Sequence, residues 1–168
     1  MRHGVLNVDN LRYRRGVRTG ADPLQSLTAR ARVVIEVSRG SFAKRKGDGR
    51  IDFVSPLPSP YNYGSIPGIV ADDGDELDAL VLGPRLPAGI VIVSPVRDVV
   101  RFIDGGVADP KVVCSAQPLT AAQRAGIERF FTVYAWFKRG LAVVRGSTGA
   151  TRFDGWTGWD AGDKTEQS

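Results

Sequence analysis

What most limits the fold of this chain is its punctuation. Glycine and proline are spread through all but the ends of the sequence, 20 and 10 of them in 168 residues, and they close each apolar, β-branched run after a few positions. Runs of this kind read as short strands. The candidates are Val33-Val34-Ile35 continuing into Glu36-Val37, then residues 51–54, 79–82, 90–94, 96–103 and 111–115. A single stretch, residues 120–137, carries a helical period. The pattern predicts an α+β domain, mainly β, in which a curled sheet forms most of the core.

Local signals refine this outline. Gly47-Asp48-Gly49 separates the first two strand candidates and predicts an early hairpin between them. Pro56, Pro58, Pro60 and Pro67 enclose Tyr61-Asn62-Tyr63-Gly64, which reads as an ordered loop because proline lacks the donor that a helix or central strand needs. Thr120 and Gln123 form a T-x-x-Q capping box, and Ile127, Phe130, Phe131 and Tyr134 share one helical face, expected to pack on the sheet. Residues 1–28, a mixture of Arg, Gly, Asn and Asp without period, read as an extension. The packed unit is expected over residues 29–160, with Trp156 and Trp159 as anchors, and residues 161–168 as a polar tail. Cys114 stands alone, so no internal disulfide forms. No secretory apolar core follows Met1, and no run reaches the ~18 apolar residues of a membrane span. A cytoplasmic protein is the expectation.

The charge is uneven. Residues 1–50 hold 12 Lys/Arg against 4 Asp/Glu, and residues 51–168 hold 11 against 14. Five of those acids lie in Asp72-Asp73-Gly74-Asp75-Glu76-Leu77-Asp78, directly before an apolar strand. Carboxylates so close repel one another unless a cation neutralises them, and oxygen-only ligation favours Mg²⁺ or Mn²⁺. An EF-hand does not fit, because Asp78 replaces the required glycine. A second group, Asp104 to Lys111, adds Asp104 and Asp109 from another loop. Together the two groups supply enough carboxylates for two or more metals, leaving positions for water and substrate. Lys44 to Lys46 and Lys111 are candidate phosphate-binding cations, and Tyr63 and Tyr134 candidate hydrogen-bond donors, although Tyr134 also suits core packing. His3 is the sole histidine, which removes the parts for a Ser-His-Asp apparatus or a histidine zinc site.

In these residues the chain resembles the family I soluble inorganic pyrophosphatases. The signature D-x-D-x-x-D is met by Asp73, Asp75 and Asp78 within DGDELDAL. In order along the chain come E-V-x-R-G-S-x-x-K from Glu36 to Lys44, P-x-N-Y-G from Pro60 to Gly64, then Asp104, Asp109 and Lys111, and FFxxY from Phe130 to Tyr134. The resemblance implies a five-stranded OB-type β-barrel with flanking helices that binds several Mg²⁺ ions, with Mn²⁺ as a possible substitute, and hydrolyses pyrophosphate. It implies Asp73, Asp78, Asp109 and Asp104 as metal ligands, Glu36 as an additional-metal or supporting carboxylate, and Asp75 as general base. Lys44, Lys111, Tyr63 and Tyr134 are implied as substrate contacts, and a homo-oligomer is expected by the same analogy.

The pattern is broken at three positions. Lys46 stands where a second glutamate is usual, Ile51 where an arginine is usual, and Ala135 where a lysine follows the tyrosine. Arg45, Lys46 and Lys138 are the cations available to compensate. The other reading compatible with a basic arm and a barrel is an OB-type nucleic-acid binder or an inactive relative of the enzymes. Against nucleic acid stands the aspartate cluster, which repels phosphate unless it carries metal.

Overall fold

The fold is that of a computed structural model of the chain, which describes residues 22–45, 51–54, 58–144, 146 and 149–159. Nine strands are assigned among these: β1 (Arg30–Val37), β2 (Ala43–Arg45), β3 (Ile51–Val54), β4 (Asn62–Val70), β5 (Glu76–Val81), β6 (Val91–Asp104), β7 (Val107–Ala108), β8 (Lys111–Cys114) and β9 (Arg152–Trp156). One α-helix, α1 (Ala121–Val144), follows β8. Five strands close on themselves in the order β1-β4-β5-β8-β6, with β6 returning to β1 to complete the barrel. All these pairings are antiparallel except β5–β8.

Alternation sorts the strands into an inner and an outer face. Val33 and Ile35 of β1, Leu77 and Ala79 of β5, and Val112 and Cys114 of β8 turn inward and form one cluster. Leu80, Val113, Val100 and Phe102 turn outward into a second cluster beneath α1. Ile127, Phe131 and Ala135 of the helix are buried there, with Phe130 and Tyr134 packed alongside, so the helical face read from the sequence is the one that docks. The capping box forms on both sides: Gln123 N–H donates to Thr120 Oγ1 (3.1 Å) and Thr120 N–H to Gln123 Oε1 (2.9 Å).

Four expectations need correction. Residues 62–70 are not loop but the central strand β4, flanked by β1 and β5. Pro67 is tolerated because it falls where the β4–β5 register breaks, between Ile66 and Val70, and no ladder donor is required of it. Residues 51–54 do not pair with β1; β3 pairs with β2, while β1 pairs with β4 and β6. The Gly47-Asp48-Gly49 turn itself lies outside the described residues. The two strands expected on either side of Pro95 are one strand, β6, in which Pro95 faces Arg30 near a bulge at 96–98. Beside the barrel, the described residues hold α1 and a short 3₁₀ turn at Pro23–Ser26. The helix also runs on to Val144, seven residues past the expected end.

The packed unit begins before residue 29. Leu27 is 1% exposed and belongs to the inner cluster, held after a turn whose entry is capped by Asp22. At the other end, buried Asp98 gathers Arg124 (2.6 Å) and the N–H of Trp159 (3.0 Å), and Arg124 lies over the Trp156 ring at 4.8 Å. The two tryptophans are thus anchors, as expected. Residues 1–21 and 160–168 lie outside the described residues.

Cys114 is fully buried, and burial pushes its thiol up to about 12. A thiol-reactive disulfide reagent is therefore expected to leave the native protein unlabelled and to react with about one thiol only after denaturation. Fast labelling of folded protein would contradict a closed barrel.

Candidate active site

The barrel places its polar outer face at one end of α1. Asp78 is the third residue of β5 and is directly opposite Lys111 of β8 in the parallel register, so the two side chains project together. On the other side β4 sets Tyr63 and Ser65 on the same face as Asp78 and Glu76, by alternation and register. Leu80 and Val113 continue that face under the helix, which is why the polar residues emerge at its edge and not inside the barrel.

At the centre lies Lys111, whose side chain is 5% exposed. Its Nζ donates to Asp78 Oδ2 and to Asp109 Oδ1, each at 2.5 Å, and Tyr63 donates its hydroxyl to the same Asp78 Oδ2 at 2.6 Å. Burial pulls the pKa of Lys111 down, but the two carboxylates outweigh it and hold the lysine's pKa above its ordinary value. Asp109 is raised, first by burial and then by the charges of Asp78 and Asp73, against the opposing pull of Lys111. Tyr63 is raised well above the usual phenol by burial, then by Asp78 and Asp109, with a smaller push from Tyr134. Asp73, Asp78, Asp109, Lys111, Tyr63 and Tyr134 therefore share one electrostatic neighbourhood.

Two further groups adjoin it. Asp104 ends β6 at the Gly105-Gly106 turn, whose paired positive φ values (56° and 89°) suit a two-residue hairpin and require glycine. Its Oδ1 accepts from Thr151 Oγ1 at 3.2 Å, and its Oδ2 accepts from Lys138 Nζ. Glu36 meets Ser65 Oγ at 3.1 Å, and the same hydroxyl lies 3.1 Å from Glu76. Asp75 is exposed in the turn before β5, its N–H donating to Asp73 Oδ1 at 3.0 Å. Lys44 lies in β2, opposite Phe53. Lys46 lies outside the described residues.

Sequence reasoning missed Asn62. It is fully buried; its Oδ1 accepts from the N–H of Arg39 and Leu86, and its Nδ2 donates to the carbonyls of Val81 and Pro84. A side chain with four amide-type partners pins the start of β4 against two loops and so holds Tyr63 in place. An asparagine between two tyrosines in a proline-rich stretch was the available signal. The pairing of Ser65 with Glu36 and Glu76 carries no local sequence signal, since it depends on register.

Among the described residues no three acidic, histidine or cysteine side chains converge closely enough to hold a metal ion. Asp78 and Asp109 do converge, on the ammonium of Lys111. The inorganic pyrophosphatase family model matches residues 33–151, which include every group just described. The chain belongs to the inorganic pyrophosphatase family. An inorganic pyrophosphatase from a Synechocystis strain is 34% identical over 101 residues, 55% of this chain and 59% of its own length. One from Haemophilus influenzae is 37% identical over 90 residues, 49% and 51% of the two lengths. The chain thus spans little more than half the length of these curated relatives. Over the fold the match is broader. The crystal structure of an inorganic pyrophosphatase from Neisseria gonorrhoeae has 29% identity, covers 82% of this chain and 90% of that one, and superposes with a TM-score of 0.64. That from Thermus thermophilus has 27% identity, 83% and 86% coverage and a TM-score of 0.64. The pyrophosphatase fold accounts for the OB-type barrel, and no described helix is long and apolar enough to cross a membrane.

Proposed function

We propose that the chain hydrolyses inorganic pyrophosphate to two phosphates, using Mg²⁺ held by Asp73, Asp78, Asp109 and Asp104, with Asp75 as general base. The observation that carries this reading is the convergence of Asp78 and Asp109 on one buried positive charge, within the span matched by the family. The donor types suit a hard divalent cation, being carboxylate oxygen throughout, and Asp78 and Asp109 bring two negative charges against the single ammonium of Lys111. Bound Mg²⁺ would supply charge to draw phosphate oxygens and acidify a water.

The chain's own residues divide the remaining work. Asp75, exposed at the rim, accepts the proton of the water that attacks one phosphorus. As the new P–O bond forms, the bridging P–O bond breaks and its electron pair leaves with the second phosphate. Lys111 and the hydroxyls of Tyr63 and Tyr134 meet the charge on that phosphate, and Lys44 contributes a further cation. Glu36, linked to Glu76 through Ser65, supports the acidic wall or an additional metal. A cytoplasmic location and a homo-oligomeric assembly belong to the same reading and rest on the family alone.

The test is phosphate release from pyrophosphate by wild type with Mg²⁺, with EDTA, and by Asp75→Asn. Asp75 is solvent-facing, so the variant is expected to fold normally and to lose about 100-fold or more in kcat. Release that persists in EDTA, or an Asp75→Asn enzyme of wild-type rate, would overturn the metal or the base assignment respectively. No release by folded, Mg²⁺-loaded wild type would overturn the activity.

A further inference from the structure

The turn that ends β6 is held from outside its own hairpin. Asp104 faces Val107 across Gly105-Gly106, and in a two-residue hairpin the amides of the two turn residues have no partner within the ladder. Both are taken here by the segment that leads from α1 into β9. Gly106 N–H donates to the Ala150 carbonyl at 2.7 Å, and Gly105 N–H donates to Thr151 Oγ1 at 3.1 Å. Gly149 lies so close that a Cβ there would fall 2.1 Å from the Gly105 carbonyl oxygen.

Of the three residues in this clip, only Thr151 contributes a side chain to it. Thr151 is 4% exposed, and its hydroxyl works in both directions, accepting from Gly105 and donating to Asp104 Oδ1 at 3.2 Å. The carboxylate has another tie, from Lys138 to its Oδ2, whereas Gly105 N–H has no other acceptor among the described residues. It is therefore the turn that depends on Thr151. Beyond Gly106 the chain runs back along β6, and its register is counted from that turn. Ala108 faces Ile103, Asp109 N–H donates to the Phe102 carbonyl at 2.9 Å, and Lys111 faces Val100. Asp109 and Lys111, two residues apart, thereby reach the face on which Lys111 meets Asp78. A turn longer or shorter by one residue would carry both to the opposite face.

We propose that Thr151 is a positioning residue for the candidate active site: its hydroxyl locks the Gly105-Gly106 turn, and the locked turn sets Asp109 and Lys111 against Asp78. For its effect on turnover the inference rests on the hydrolytic reading and deepens it, by tying the site to a residue 46 positions beyond the turn.

The experiment compares wild type, Thr151→Val and Thr151→Ser. Valine keeps the buried volume and deletes the hydroxyl; serine keeps the hydroxyl and loses a methyl group. Both variants are expected to melt lower than wild type, so all three are assayed at a temperature where each is folded. Amide hydrogen exchange is followed by mass spectrometry for residues 103–111, with residues 62–70 as the internal control, and pyrophosphate hydrolysis is measured with Mg²⁺. In Thr151→Val, exchange over 103–111 is expected to be about fivefold faster with the control unchanged, since one hydrogen bond holding the turn is lost. Its kcat is expected to fall about tenfold, the effect of a small misplacement of reacting groups. Thr151→Ser stays within about twofold of wild type in both measurements. Unchanged exchange in Thr151→Val shows that the turn does not need the hydroxyl, and faster exchange with a wild-type kcat shows that the tie is structural only. A Thr151→Ser protein as impaired as Thr151→Val assigns the effect to the methyl group. Each of these results overturns the proposal. If folded wild type hydrolyses no pyrophosphate, the hydrolytic reading falls and exchange alone decides: faster over 103–111 in Thr151→Val and not in Thr151→Ser upholds the positioning of Asp109 and Lys111, and any other pattern overturns it.

Discussion

Gly64→Ala is expected to be the most destabilising single-methyl change in the barrel. A Cβ at Gly64 would lie 1.9 Å from the carbonyl oxygen of Val34 and 2.8 Å from its carbonyl carbon. These are backbone atoms of β1, the strand to which β4 is paired at Ile35↔Gly64, so no side-chain rotation relieves the clash. β1 must move, and β1 is also the strand that closes the barrel through β6. The cost is at least about 3 kcal/mol, the upper end of ordinary overpacking. For a chain of this size that lowers Tm by roughly 6–12 °C, measurable by calorimetry or circular dichroism. A variant that melts with wild type would show that β1 and β4 approach less closely than described. The glycine of P-x-N-Y-G is on this argument a packing requirement, with catalytic consequences only because Tyr63 precedes it.

Asp78→Asn should have the converse effect, abolishing chemistry while sparing the fold. Tyr63 and Lys111 both donate to the same oxygen of Asp78, Oδ2. An asparagine with its carbonyl in that position keeps both hydrogen bonds and changes only the charge and the second oxygen. Under the proposed hydrolysis, losing that charge from the aspartate cluster is expected to lower kcat/KM by about 10²–10³, in the range seen when one electrostatic contact to a reacting centre is removed. Thermal melting should stay within a few degrees of wild type. An active Asp78→Asn protein would remove Asp78 from the metal site and leave it as a structural partner of Lys111. A protein that is inactive because it is unfolded would show that the carboxylate pair, and not the hydrogen bonds, holds β5 to β8.

Features legible in the sequence were those encoded by near neighbours. The capping box joins residues three apart, the buried helix face repeats every three or four, and the acid run lies within seven positions. Each needs only local backbone geometry to be read. The mainly β architecture followed from short, punctuated runs. The errors have a common cause. The sequence pattern breaks strands at Pro67 and Pro95, but a proline is harmful only where its missing N–H would be used, and that depends on which strand lies alongside. The pairing of β3 with β2 in place of β1 is likewise a choice among partners that local pattern does not rank.

The same division runs through the site. The sequence by itself determined which chemistry is available: carboxylates in two loops, lysines and tyrosines nearby, and no histidine apparatus. Only the tertiary structure decided who faces whom. Lys111 reaches Asp78 across 33 positions, Lys138 reaches Asp104 across 34, and Glu36 reaches Ser65 across 29. The reason is physical. Strand register and helix docking are set by burial of the apolar faces, and a shift of one residue would turn every polar partner to the opposite side of the sheet.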